Sequence, residues 1–138
     1  NINKAENIIP KITKVLINKN KKFFIWGNNY ETKDGTCLRD YIHVSDVAKF
    51  HLKSFKILKR KNLEILNIGT GKPHSVIDIL KAFKKITKKN IPIKIGKKRP
   101  GDVAINYADV NKSKKIFKNI KYRSLTTMIK DVTNTINI

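Results

Sequence analysis

Two arginines stand apart in a chain otherwise rich in lysine, isoleucine and asparagine. Arg39 lies in "DGTCLRDYIHVSDVA" (residues 34–48), flanked by Leu38 and Asp40, with Tyr41 next, after a loop long enough to wrap a ligand. Arg99 lies in "KKRPGDVAINYADVNKS", just before Pro100 and Gly101, with Asp102 three residues on. A guanidinium is a fixed fork of donors that grips phosphate by paired hydrogen bonds, so an arginine beside a strand suits anion clamping. An Arg and an Asp three apart across a turn can both face a cleft. One would hold phosphate, the other a sugar hydroxyl or the first arginine. In isolation each motif also has a plainer explanation: Arg39 paired with Asp40 or Asp46 at the surface, and Arg99 in an ordinary charged turn.

Other candidates carry less chemistry. "LNIGTGKPHS" (residues 66–75) has the look of a phosphate loop between strand and helix, but lacks the G-x-x-x-x-G-K-[ST] spacing and the glycines of a dinucleotide fingerprint. A tight turn is the better reading. His43, His51 and His74 show no ligand spacing with Cys37, so no metal site is expected. His43, inside an apolar run, reads as a packed residue rather than a base.

The elements that must position these residues follow from periodicity. Apolar residues at 8, 9, 12, 15 and 16 have helical spacing, and Pro10 suits a first helical turn. "KFFIWG" (22–27) reads as a strand, and "NNYETKDGT" as a loop tightest at Asp34-Gly35. "CLRDYIHV" (37–44) reads as a second strand. Ser45 is then a candidate N-cap for a helix with Val47, Ala48, His51, Leu52, Phe55 and Leu58 on one face. "LEILNIG" (63–69) reads as an apolar strand. Ser75 caps the next helix, with Asp78 favouring its N-terminus and Val76, Ile79, Leu80, Phe83 and Ile86 as its stripe. "IPIKIG" (91–96) alternates like an exposed or edge strand. Asp109 is a candidate cap for a short helix reaching Phe117. Leu125, Met128, Ile129, Val132 and Ile136 again have helical spacing. Strands alternating with helices indicate an α/β protein, with too few buried parallel strands for a complete doubly wound sheet.

Composition bounds the rest. The 138 residues, 40% of them hydrophobic, suffice for one core. One cysteine, Cys37, excludes an internal disulfide and fits a reducing compartment, hence a cytoplasmic location. No apolar run is long enough to span a bilayer, so no membrane partner is expected. The charge is extreme: 31 Lys and Arg against 10 Asp and Glu, a net +21. That balance admits a basic nucleic-acid or anionic-surface binding domain as the alternative function. Yet the lysines are dispersed along the whole chain, whereas a nucleic-acid surface concentrates arginine with interleaved aromatics.

Taken together, these segments resemble UDP-glucose 4-epimerases, extended short-chain dehydrogenase/reductases. "GNNYETKDGTCLRDYIHVSDVAKFH" carries the most specific likeness, and "ENIIPKI", "FFIWG", "ILNIGTGKPHSVIDILKAF" and "KRPGDVAINYADVNKSKK" follow the family's order. The resemblance implies that Arg39 and Arg99 contact the diphosphate of a UDP-hexose. It implies that Asp102 touches the ribose, that Asn7, with Ile8 beside it, binds the diphosphate, and that the strand holding Phe24 and Trp26 reads uracil through its main chain. Tyr41, in the same block, is counted with the substrate-binding residues. Asn106 stands where some members carry a larger aromatic side chain, so the choice between hexose and N-acetylhexosamine stays open.

The family's amino-terminal motifs are missing. There is no G-x-x-G-x-x-G, and none of Tyr30, Tyr41, Tyr107 or Tyr122 has Lys four residues on. The resemblance therefore implies the carboxy-terminal substrate-binding part, residues 1–138 as one incomplete α/β unit, with 38–72 containing elements that would complete a Rossmann sheet. It implies no catalytic residue in this chain, NAD as cofactor of the complete enzyme, and no cofactor bound by this chain alone. A UDP-hexose, a separate amino-terminal Rossmann half and a second copy in a homodimer are the implied partners. A fragment, a split gene product and a decayed reading frame remain alternatives.

Overall fold

A computed structural model describes residues 7–18, 20–59 and 63–136. Glu6, the first residue of "ENIIPKI", and residues 60–62 within the 38–72 segment lie outside the described residues.

Helix α1 (Ile8–Ile17) follows its apolar spacing and buries Ile12, Val15 and Leu16. It packs on β1 (Phe23–Trp26), whose alternation turns Phe23 and Ile25 inward and leaves Phe24 and Trp26 half exposed. After the loop come β2 (Leu38–Asp40), α2 (Val44–Leu58), β3 (Pro73–Ser75), α3 (Val76–Thr87), β4 (Ile93–Gly96), β5 (Ile105–Asn106), α4 (Asn111–Ile116) and α5 (Leu125–Thr135). Strand β1 pairs parallel with β4 in a two-stranded ribbon, and β2 lies between antiparallel β3 and parallel β5. The core gathers Ile12, Phe23, Ile25, Ile79, Phe83 and Ile129 from α1, β1, α3 and α5. Burying each such side chain stabilises the fold by roughly 1.5–3 kcal/mol.

Helix α3 begins as its sequence dictates. The Ser75 hydroxyl accepts from the Asp78 N–H at 3.0 Å, and the Asp78 carboxylate accepts from the Ser75 N–H at 3.1 Å, a complete capping box. The Ser75 hydroxyl also donates to Asp34, whose other oxygen accepts from the Thr36 N–H and hydroxyl. One carboxylate thus fastens the 32–36 turn to the start of α3. Burial alone would push the Asp34 carboxyl up; these hydrogen bonds outweigh it and hold it below its ordinary value.

Several expectations are corrected. The run 37–44 is a strand only over Leu38–Asp40, because β5 offers two residues to pair with and the chain turns into α2. The cap of α2 is His43 rather than Ser45: its Nδ1 accepts the Ser45 N–H at 3.0 Å, while Nε2 meets Asp131 of α5 at 2.9 Å. Residues 63–69 form no strand. A strand exists only as a hydrogen-bonded partner, and none runs beside this segment among the described residues. Asp109 accepts the Asn111 N–H, but Val110 holds the cap position of α4.

The stripe expected on α2 forms, and it faces outward. Leu52, Phe55 and Leu58 are 69%, 65% and 55% exposed, and Leu63 and Ile65, later in the chain, are 76% exposed each. The inward contacts come from Phe50, edge-on to Phe117 at 5.1 Å, and from Asp46. Asp46 is fully buried and accepts from the Arg123 N–H at 2.7 Å, the Arg123 guanidinium at 2.6 Å and Lys49 at 3.3 Å. Burial pushes this carboxyl up, and those donors more than reverse the shift.

Candidate functional site

The turn 99–102 sets one wall of the site. Pro100 and Gly101, at φ +81°, make a tight reversal closed by the Asp102 N–H on the Arg99 carbonyl at 3.2 Å. Arg99 and Asp102 therefore stand side by side, with Arg99 Nε donating to Asp102 Oδ2 at 2.8 Å. Lys98 anchors this loop: its ammonium lies 4.4 Å from the Tyr30 ring centroid and donates to the Asn29 carbonyl at 3.0 Å.

Strand β2 sets the facing wall. Arg39 Nη1 donates to the carbonyls of Leu38 at 2.8 Å and Val103 at 2.9 Å, and Nη2 lies 3.8 Å from Asp102 Oδ1. The surface pairings considered for Arg39 do not occur. Asp46 is committed to Arg123 and Lys49. Asp40 is committed to the glycine turn, accepting from the Thr70 N–H and hydroxyl and from the Gly71 N–H at 2.9 Å. Those turn amides point at the protein's own carboxylate, so "GTG" is a tight turn and offers no phosphate cradle. Gly69 is required there: a Cβ would lie 2.5 Å from Asp40 Oδ2 and 2.7 Å from the Ala108 Cβ.

Both guanidiniums border one cavity of about 670 Å³. Its lining brings together Arg39, Tyr41, Arg99 and Asp102, and equally Asn7, Ile8, Phe24 and Trp26. Burial pushes the Tyr41 phenol above its ordinary value despite the nearby Arg39 charge. The Phe24 and Trp26 rings stack at 5.5 Å and 20°. Main-chain direction matters more here. Phe23 and Gly27 donate their N–H groups to Pro92 and Gly96, toward β4. Alternation then turns the N–H and C=O of Phe24 and Trp26 to the opposite edge, where no strand pairs among the described residues. That edge offers a donor–acceptor row to a planar ligand.

The role of Asp40 in seating the glycine turn was not read from the sequence. Neither was the Val103 carbonyl that orients Arg39. An aspartate four residues after a Gly-Thr pair carries no such signal, since its partners lie 30 residues away. Among the described residues no group of three or more His, Cys, Asp or Glu could hold a metal, and no helix is long and apolar enough to cross a membrane.

Residues 2–69 match the model of the NAD dependent epimerase/dehydratase family. The UDP-glucose 4-epimerase of Pasteurella multocida (strain Pm70) is 42% identical over 126 residues, 91% of this chain and 37% of that protein. That of Bacillus subtilis (strain 168) is 41% identical over 110 residues, 79% of this chain and 32% of that protein. Among solved structures, the Stenotrophomonas maltophila UDP-glucose-4-epimerase with bound NAD and formylated UDP-arabinopyranose superposes with a TM-score of 0.87. It is 36% identical, over 94% of this chain and 39% of that one. The Bifidobacterium longum enzyme in complex with NAD+ and UDP gives a TM-score of 0.82 at 35% identity, over 91% of this chain and 37% of that one. The chain spans about a third of the length of the curated relatives it matches. By sequence and by fold, the chain is similar to a part of the UDP-glucose 4-epimerases, and its first half resembles the NAD dependent epimerase/dehydratase family.

Proposed function

We propose that the cavity binds a UDP-hexose and that the chain is the carboxy-terminal, UDP-sugar-binding part of a UDP-glucose 4-epimerase. The observation that carries this reading is the approach of two guanidiniums, distant in sequence, to one carboxylate on the wall of one cavity. In this reading Arg39 and Arg99 neutralise the diphosphate and fix its orientation, with Asn7 and the adjoining Ile8 beside it. Asp102 meets the ribose. The open edge at Phe24 and Trp26 supplies the amide donor and carbonyl acceptor that a uracil ring needs. Tyr41 closes the wall between the diphosphate and the sugar.

NAD, bound by the complete enzyme, would take up and return hydride at the sugar. The residues of this chain bind and orient; the glycine turn, its amides already held by Asp40, is not a dinucleotide cradle. The chain alone is then inactive. Residues 63–69 and the outward stripe of α2 are the elements that would complete the Rossmann sheet and pack against an amino-terminal half, whether that half is a separate polypeptide or not. The assembled protein would be a cytoplasmic homodimer.

Titration calorimetry tests the binding reading. UDP should bind more tightly than inorganic phosphate, and equal affinity for the two ends the proposal. Co-expression with an amino-terminal epimerase half should yield a complex with NAD-dependent UDP-galactose conversion. A lack of both complex and activity rejects the assembly.

A further inference from the structure

We infer that Asp102 is a built-in competitor for the two arginines, and that it sets the selectivity of the cavity for a nucleotide over a bare anion. The inference rests on the proposed UDP site and deepens it.

The Asp102 carboxylate lies between the guanidiniums. Oδ2 takes the Nε–H of Arg99 at 2.8 Å, and Oδ1 sits 3.8 Å from Nη2 of Arg39. The two arginines are not held alike. Arg39 is pinned through Nη1 by two carbonyls, so it is a fixed wall. The Arg99 side chain is 53% exposed, and among the described residues its one side-chain hydrogen bond is from Nε to Asp102. Its terminal nitrogens are open to an incoming anion. The turn closed between Arg99 and Asp102 prevents either from moving far without the other.

An incoming diphosphate approaches the same donors as a second anion. Two like charges at one pair of guanidiniums repel, and the carboxylate must surrender Arg99 or turn aside. A carboxylate that has lost its donor is costly unless it gains another. Inorganic pyrophosphate, bound as an acceptor of hydrogen bonds, brings none. A nucleoside diphosphate brings ribose hydroxyls, which donate to a carboxylate. Asp102 thus penalises every anion and refunds only those that carry a hydroxyl donor beside the phosphates. A specificity residue of this kind works by leaving the wrong ligand's partner unsatisfied.

The test titrates the full chain and its Asp102→Asn and Asp102→Glu variants with UDP and with inorganic pyrophosphate. Asp102→Asn removes the charge and keeps the size. It should bind pyrophosphate about fivefold more tightly than wild type, the factor expected for a half-exposed ion pair. Its preference for UDP over pyrophosphate should fall by at least that factor. Asp102→Glu keeps the carboxylate and should retain part of the wild-type preference. If wild type binds UDP but Asp102→Asn binds pyrophosphate no better, the competitor role is wrong and the UDP site stands. If none of the three proteins binds UDP or pyrophosphate, the UDP site itself fails, and this inference with it. Circular dichroism and the urea midpoint of each variant separate lost binding from lost fold.

Discussion

Replacing Asp40 with Asn should loosen the joint between β2 and the glycine turn. The native carboxylate is acceptor-only and receives the Thr70 N–H, the Thr70 hydroxyl at 2.5 Å and the Gly71 N–H at 2.9 Å. Asparagine keeps one acceptor oxygen, and its amide would face one of those N–H groups donor to donor. At least one charge-assisted hydrogen bond is lost. Such bonds contribute about 1.5–3 kcal/mol, and the half-buried position favours the lower part of that range, about 2 kcal/mol. With a urea slope of about 2 kcal/mol/M, the unfolding midpoint followed by circular dichroism should drop by about 1 M. Gly69→Ala forces a Cβ to within 2.5 Å of the same carboxylate and should destabilise through the same joint, so the double variant should cost less than the sum. An Asp40→Asn midpoint within about 0.2 M of wild type would refute the reasoning, since a change that small is worth less than one ordinary hydrogen bond.

Other predictions bear on the frame and the surface. Arg123→Ala removes a guanidinium from fully buried Asp46 while its backbone N–H remains; because Arg123 itself is one-third exposed, the loss discounts to about 2 kcal/mol in urea unfolding. Asp34 and Asp46 both have depressed carboxyl values in the fold. The unfolded chain therefore binds their protons first, and their contribution, complete above about pH 4, is lost as pH falls through the lower folded values. Stability measured from pH 5 to pH 2 should fall along that window, and the double variant Asp34→Asn/Asp46→Asn should flatten the fall. Leu52→Glu with Phe55→Glu on the outer face of α2 should leave the unfolding free energy of this chain, measured in urea, within about 0.5 kcal/mol of wild type. The same pair should abolish co-purification with an amino-terminal epimerase half; a complex that survives intact removes α2 from the interface.

The helices were largely legible, because α1, α3 and α5 each carry a stripe that one face must bury, and Ser75 and Asp78 spell out a capping box. The strands were less so. Residues 63–69 read as a strand by apolar content, yet pairing is a property of two segments, and no partner stands beside them among the described residues. The stripe on α2 was visible while its direction was not: periodicity says that a helix has an apolar face, and only the fold says which side is covered. His43 replaced Ser45 as cap because a ring nitrogen can accept an N–H as a hydroxyl does, a use that composition does not advertise. For the candidate site, residue type and spacing pointed to Arg39, Arg99 and Asp102, the resemblance added Asn7, Ile8, Phe24, Trp26 and Tyr41, and all eight line one cavity. What the sequence withheld was their pairing. Asp40 with Thr70 and Gly71, and Asp46 with Arg123, are long-range contacts that spacing alone does not encode, whereas Asp102 beside Arg99 follows from their spacing across one turn.

The most direct measurement is a double-variant cycle on UDP affinity, titrating wild type, Arg39→Ala, Arg99→Ala and the pair by calorimetry. Each single change should weaken UDP binding by about tenfold or more, the loss of one charge-assisted contact. The pair should depart from additivity, because both side chains would grip one diphosphate. Single variants that hold UDP as tightly as wild type, or two losses that simply add, would contradict the claim that these two guanidiniums share a ligand.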